Sequence, residues 1–369
     1  LMMSQIEVGM QQSIQQPLPN ETEDAFEARR AIALQGMKDV QKMINELESV
    51  TVGFNIDQTR QSVHFDVGIT AKEGSDTAKQ FTYEDTTTQL AGFLTESAAT
   101  QMNMSTSFDT AQAEQINISL ETLRTQAIDQ IQNDPTIPNE ELRGLAIKAI
   151  STFMDVGKAT LSSGKIDMAA SMDLTDEGIS VIAAAIVPQA EQLDQIVRDL
   201  VKIATEQDPS FPEVEIDAQK KGDTSFHVIR IPIPEYEAEA RSAFGDTVEI
   251  SIGMGPDRVY IGVGKDNLKR LSAAIDKSAA NKGEKVSAAL LKSSVSKMLQ
   301  FAAEQTQDLN LQQAAAAAAS VTGKDTASME LTAIKNGARY RIELEAGVLK
   351  AIAVAIMTLS EPGVDDSPF

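Results

Sequence analysis

The sequence predicts an α+β fold in which repeated β-hairpin–helix (ββα) units form antiparallel sheets covered by helices. Three observations predict it. Short segments that alternate apolar and polar residues occur in pairs, which is the pattern of strands with one buried face. Turn residues separate the two members of a pair, and an apolar stripe at helical spacing follows them. Because a hairpin pairs consecutive strands, the sheets are expected to be antiparallel.

The clearest unit spans residues 248–277. Val248, Ile250 and Ile252 alternate with polar or small residues, and the alternation resumes at Val259 after a Gly-Pro-Asp turn. Asp266 is expected to cap the helix that follows by accepting hydrogen bonds from backbone N–H groups. A lone hairpin is marginally stable in water, so several such units are expected to share a sheet.

Looser versions of this unit are predicted elsewhere in the chain. They span residues 50–81, 100–130, 164–204, 214–244 and 327–359. In the second of them, Met102 and Met104 are expected to pair with Ile116 and Ile118. Residues 283–319 are predicted to be helical because they end in an alanine run, although a low-complexity linker is the alternative.

Three regions are predicted along the chain. Residues 1–21 are a Gln-rich N-terminal arm, which either the same chain or a neighbouring subunit is expected to hold. Residues 22–160 form a first α+β domain with a long helix and two ββα units. Residues 161–369 form a second α+β domain with four units and an Ala-rich helix. The boundary is placed at a proline-containing break after Asn133, followed by a helix that Asn139 caps.

Composition excludes several classes of protein. The 369 residues carry a formal net charge of -22, which repels nucleic acid and anionic membranes. The chain has no cysteine, so disulfides, Cys-bound zinc and thiol catalysis are excluded. No segment is apolar over the length of a membrane span. The start at Leu1 is interpreted as a processed or truncated N-terminus.

The sequence contains no recognisable catalytic, cofactor or metal site. His64 lies on the polar phase of its strand and is expected to be solvated, whereas His227 could face either side. Neither has a Ser or Asp partner at a diagnostic spacing, so no catalytic residue is assigned. Asp173, Asp176 and Glu177 cluster at a turn, but they lack the alternate spacing of a calcium loop. The chain is therefore interpreted as a non-enzymatic protein without cofactor or metal.

Four segments carry a resemblance to a known group of proteins: GKIDMAASMDL, DTSFHVIRIPIP, VYIGVGKDNLKRL and NGARYRIELEAGVLKAIA. Together they make the chain similar to uncharacterised exported proteins of planctomycete bacteria. That resemblance implies an extracytoplasmic setting, whether periplasmic, cell-surface or secreted. It implies no activity and no functional residues.

Three functions are compatible with these observations. The first is a structural or assembly protein that forms a homo-oligomer or binds other protein subunits, with the N-terminal arm as the expected contact. The alternative is a binding module that holds an apolar ligand or a peptide against an antiparallel sheet. The third is a hydrolase with an unrecognised acidic site, which ranks last because no catalytic motif is present.

Overall fold

The fold was derived from a computed structural model of the chain. The structure describes residues 23–81, 86–107, 110–135, 137, 139–175, 178–207, 211–306 and 308–360. The predicted N-terminal arm, residues 1–21, therefore lies outside the described residues. Among the described residues, no helix combines the length and apolar character needed to cross a membrane.

Helices and strands contribute comparably to the described part of the chain. The helices are α1 (Glu23–Glu46), α2 (Asp76–Gln80), α3 (Thr110–Asn133), α4 (Glu140–Ser162), α5 (Glu191–Gln207), α6 (Ala238–Phe244), α7 (Asn267–Ala280), α8 (Val295–Thr306), α9 (Leu309–Ala319) and α10 (Ala346–Ser360). The strands are β1 (Leu47–Asp57), β2 (Ser62–Ala71), β3 (Thr87–Thr88), β4 (Thr100–Ser107), β5 (Lys165–Thr175), β6 (Gly178–Ile186), β7 (Glu213–Lys221), β8 (Thr224–Pro232), β9 (Thr247–Met254), β10 (Arg258–Val263), β11 (Glu284–Lys285), β12 (Ala289–Ser294), β13 (Thr326–Ile334) and β14 (Gly337–Glu345).

One large sheet organises the molecule. It has twelve strands in the order β1-β2-β14-β13-β12-β4-β5-β6-β10-β9-β8-β7, and β3 and β11 form a separate two-stranded ladder. Every neighbouring pair in the large sheet is antiparallel. The α+β fold with an antiparallel sheet is thus confirmed. That the hairpin–helix segments are copies of one unit remains a prediction.

Two strand assignments from the sequence are wrong. Ile116 and Ile118 do not pair with β4 but lie within helix α3, since a short apolar alternation also fits a helix whose stripe continues beyond it. The segment predicted to be helical from residue 283 contains strand β12, which pairs with β4 and β13. The partners β4 and β12 lie far apart in the chain, so no local pattern encodes their pairing.

Of the two helix caps predicted from the sequence, the structure confirms one. Asn139 caps α4 as expected, because its Oδ1 accepts a hydrogen bond of 2.8 Å from the Leu142 amide. The prediction for Asp266 is wrong, since its side chain makes no capping hydrogen bond to α7. Its φ of 56° places the backbone in the left-handed region, outside the extended conformation of an ordinary N-cap.

The division into two α+β domains remains a prediction. Strands from both sides of residue 160 belong to the one large sheet, where β4 pairs directly with β5. The helices that follow these strands form two groups at opposite ends of the sheet. The group α3, α4 and α5 packs at the end where β4 finishes, and the group α8, α9 and α10 packs at the end where β12 finishes.

The best-defined core lies on one side of five neighbouring strands, which in sheet order are β5, β6, β10, β9 and β8. A short 3-10 helix at Ala91–Phe93 and helix α7 pack against this side. The ring of Tyr260 stacks between Phe93 and Phe226, with centroid distances of 5.9 and 6.0 Å. Leu271 of α7 is fully buried in the same cluster. This packing fixes half of one face of the sheet and leaves the other face available.

Candidate functional site

The opposite face of the large sheet is apolar across almost its whole width. Residues directly opposite each other on antiparallel strands point to the same side, so the strand register traces rows across the sheet. The central row contains Phe54, Phe65, Ile342, Met329, Leu291, Met102, Ala170, Ala183, Ile261, Ile252 and His227. We call this side of the sheet the apolar face.

The rows on either side of the central one have the same character. One contains Val52, Val67, Tyr340, Leu331, Ala289, Met104, Met168, Ala185, Val259 and Met254. The other contains Ile56, Val63, Leu344, Ala327, Ser293, Thr100, Met172, Val181, Val263, Ile250 and Ile229. None of these residues is Asp, Glu, Lys or Arg, although such residues make up 23% of the chain.

Much of the apolar face is accessible to solvent. Exposed fractions in the central row reach 67% at Phe54 and 55% at Met329, and Ile261 on β10 is still 43% exposed. From β1 to β10 the sheet advances eight strands, which corresponds to about 38 Å. Soluble monomers rarely expose a continuous apolar patch of this extent unless it binds something.

Charged residues are placed on the other side of the same strands. Arg341 on β14 forms a bidentate pair with Asp66 on β2, with both nitrogen–oxygen distances at 2.7 Å. The hydrogen bonds from Arg341 lower the pKa of Asp66 despite its partial burial. Charge and apolar surface are therefore separated onto the two faces of strands β2 and β14.

Helices from the two ends of the sheet border the apolar face. Helix α5 contacts it over β8 and β9, where Asp194 binds His227. Helix α8 contacts it at the opposite end, where the hydroxyl of Thr100 donates to the sulfur of Met298 at 3.9 Å. The exposed part of the central row thus ends at His227, which α5 covers.

His227 lies on the apolar face and is completely buried beneath α5. Its Nδ1 accepts a hydrogen bond of 3.1 Å from the Asp217 amide, so Nε2 carries the proton and donates to Asp194 at 2.5 Å. Arg198 completes the network by binding the carboxylates of both Asp194 and Asp217. Because both ring nitrogens have structural partners, His227 cannot take a proton from a substrate, and the network anchors α5 to the sheet.

The ion pairs and hydrogen bonds around His227 make the stability of the fold depend on pH in the acidic range. Burial alone would raise the pKa of Asp194, but hydrogen bonds from Arg198 and His227 outweigh burial and lower it. Hydrogen bonds from Arg198 lower the pKa of Asp217 to about 2. An unfolded Asp has a pKa of about 3.9, so this stabilisation is complete above pH ~4 and is lost as the pH falls toward the folded-state value.

We therefore expect the thermal unfolding temperature to fall between pH ~4 and ~2, and Asp217→Asn to flatten that fall. Differential scanning calorimetry at closely spaced pH values measures both. Asp223→Asn is the matched control, since this neighbouring carboxylate contacts no cation in the described ranges. An Asp217→Asn profile parallel to that of the wild type would contradict the assignment.

The remaining candidate residues from the sequence are not brought together in the described ranges. His64 faces the polar side, as its phase predicts, but its side chain is only 12% exposed, so the expectation that it is solvated is wrong. Asp173 is paired with Arg270, while Asp176 and Glu177 lie outside the described residues. In the part of the chain that the structure describes, no group of three potential ligands could hold a metal ion.

Sequence reasoning identified the alternation on each strand and offered an apolar ligand held against a sheet as an alternative, but it did not identify the residues that form the apolar face. The signal was present in the alternation, yet only the strand order shows that the apolar phases join across the sheet. Comparisons with protein-family models, with curated proteins and with solved structures found no match.

Proposed function

We propose that this protein is a non-enzymatic binding module that holds a flexible aliphatic chain, such as the acyl chain of a lipid, against the apolar face. The proposal rests on one observation: a solvent-accessible surface that crosses the sheet from β1 to β10 without a charged residue. Transferring an apolar chain from water to such a surface is favourable in proportion to the area that both lose to solvent.

The composition of the face favours an aliphatic occupant over a ring-shaped one. Its aromatic residues are Phe54, Phe65 and Tyr340, all on the three strands nearest the β1 edge. Towards the middle of the sheet the accessible side chains are aliphatic, with several methionines among them. These methionines are Met102, Met104, Met168, Met172 and Met329. Methionine side chains are flexible and adapt to ligands of irregular shape.

The helical borders favour an elongated occupant. Helix α5 covers the face at β8 and helix α8 contacts it beside Thr100 of β4, while the accessible side chains extend across the strands from β1 to β10. A strip of about 38 Å across eight strand steps suits an extended chain better than a compact molecule. The negative net charge of -22 keeps the protein soluble while this strip is open.

A substitution at the centre of the strip tests the proposal. Met329→Lys places a charge on a residue that is 55% exposed, so the fold should be retained. An apolar ligand that binds there must bury the ammonium group of the new lysine, which is unfavourable. We expect its affinity for cis-parinaric acid, a fluorescent fatty acid, to fall about tenfold or more. Met329→Leu keeps the apolar surface and should bind like the wild type. Fluorescence titration measures all three proteins, and calorimetry checks that each is folded.

Two outcomes would contradict the proposal. The first is a folded wild-type protein that does not bind the probe after extraction of any bound lipid. The second is a Met329→Lys variant that binds as tightly as Met329→Leu. Probe binding that increases on dilution would indicate instead that a second copy of the chain covers the face.

Other expectations remain predictions under this proposal. The extracytoplasmic setting suits a carrier of apolar molecules and is implied only by the resemblance. Recurrence of one hairpin–helix unit would explain why successive hairpins such as β5–β6 and β13–β14 supply the same apolar phase. Self-association through the N-terminal arm also remains a prediction, because the arm lies outside the described residues; the sheet edges offer another route.

A further inference from the structure

The two edges of the large sheet are built differently. Natural proteins protect edge strands with bulges, charged side chains or covering helices, because an exposed edge pairs with other chains. Edge strand β7 has a bulge, charged side chains and an ion pair to a helix. Its pairing with β8 shifts between Glu215 and Gln219, Asp217 has a φ of 56°, and Arg198 of α5 binds that aspartate. Lys220 and Lys221 add charge at its end.

Among the described residues, edge strand β1 lacks these protections over nine consecutive positions. From Ser49 to Asp57 its register with β2 is regular, and the segment contains no lysine, arginine or proline. Most of its residues are exposed. Its one charged side chain, Asp57, accepts hydrogen bonds from the amides of Thr59 and Arg60 in the adjacent turn.

We propose that β1 pairs with β1 of a second copy of this chain, antiparallel and about a two-fold axis at Gly53. The sequence of the strand is self-complementary in that register. Val50 would oppose Ile56 of the other copy and Val52 would oppose Phe54, so the apolar residues stay on one side. Asp57 would oppose Ser49, so like charges do not meet.

The proposed register of the β1–β1 pair also explains why residue 53 is a glycine. Gly53 lies on the polar side of β1 opposite Asp66, and the dimer axis would bring two copies of this residue together. Without side chains the two backbones can approach closely at the axis. The dimer would continue both faces of the sheet across the new contact, so the apolar face of each copy would adjoin that of its partner.

The absence of cysteine allows a direct test of the register. In the proposed dimer two Gly53→Cys thiols lie on directly opposed residues, whose Cα separation of about 4.5–5.5 Å is compatible with a disulfide. Asn55→Cys is the matched control, because it lies on the same strand and face but about 14 Å from its copy in this register. Under mild oxidation we expect the Gly53→Cys protein to become a covalent dimer at least about tenfold faster than the Asn55→Cys protein.

A pair of charge variants tests the contact without a cross-link. Thr51 and Asn55 are both exposed on the polar side and would oppose each other across the axis. Thr51→Lys with Asn55→Lys would place lysine opposite lysine twice, whereas Thr51→Lys with Asn55→Glu would place lysine opposite glutamate. By sedimentation velocity we expect the wild type and the Lys/Glu protein to be dimers and the Lys/Lys protein to dissociate about tenfold more readily.

Several results would overturn the proposal. A wild-type chain that stays monomeric at high concentration would do so, including the case in which the N-terminal arm occupies the β1 edge. Equal oxidation rates for the two cysteine proteins, or equal dissociation of the two charge variants, would overturn it as well. None of these substitutions changes the apolar face, so the outcome is independent of fatty acid binding.

Discussion

Phe226→Ala is expected to lower the free energy of unfolding by about 3–5 kcal/mol, among the largest effects of any single truncation in this protein. Phe226 is almost completely buried, and its ring lies over Gly253, its direct partner on β9. Tyr260 flanks the same glycine from β10, so the two rings stack across it. Removing Phe226 leaves a cavity beneath the strands that carry the apolar face. Equilibrium urea unfolding measures the change.

A substitution at Gly253, which has no side chain beneath the Phe226 ring, provides the control for this prediction. A Cβ there would overlap the ring of Phe226, so Gly253→Ala alone should destabilise by about 1–3 kcal/mol through overpacking. Once Phe226 is alanine the added methyl group has room, so the double variant should lose less stability than the sum of the two single changes. Strict additivity would show that the ring does not fill the space above the glycine.

Gly92→Ala is expected to destabilise the protein by about 3 kcal/mol. Here the cause is a lack of space for the added methyl group, whereas Phe226→Ala leaves a cavity. Gly92 lies in the buried 3-10 helix, where its amide donates to the hydroxyl of Ser278 at 2.9 Å. A Cβ at this position would overlap the backbone carbonyl of Ala274 in α7, which cannot move without displacing the helix. Thermal unfolding in calorimetry measures the loss.

A glycine-to-alanine substitution at an unobstructed position separates the clash at Gly92 from the effect that alanine has on backbone stability in general. Gly144 lies within helix α4, where an added methyl group would point into open space. Gly144→Ala should therefore stabilise by about 0.5–1 kcal/mol, since alanine favours the helix and restricts the unfolded chain. A Gly92→Ala protein as stable as the wild type would mean that the 3-10 helix does not press against α7.

Local signals predicted the hairpins of this fold well. The alternation around Val259 and the Gly-Pro-Asp turn before it both concern residues that are neighbours in the chain and in the sheet. Such patterns state which residues share a face of one hairpin. They do not state which hairpin lies next to which, and the adjacency of β2 and β14 joins segments more than 260 residues apart.

The candidate site was less predictable because it depends on that adjacency. His227 could not be oriented from its strand, since apolar residues flank it and its partner Asp194 comes from a helix that precedes it. The segment around Gly92 carried no periodic signal, and its burial is decided by contact with the distant helix α7. The apolar face became recognisable only when the register joined the alternations of separate strands into rows.

The order of strands in the large sheet ends at β1 and β7, which do not pair with each other among the described residues. Insertion or loss of a hairpin would therefore change the width of the surface by about 10 Å without altering its chemistry. An open sheet of this kind can therefore vary in width one hairpin at a time, whereas a closed barrel fixes its size through strand number and shear.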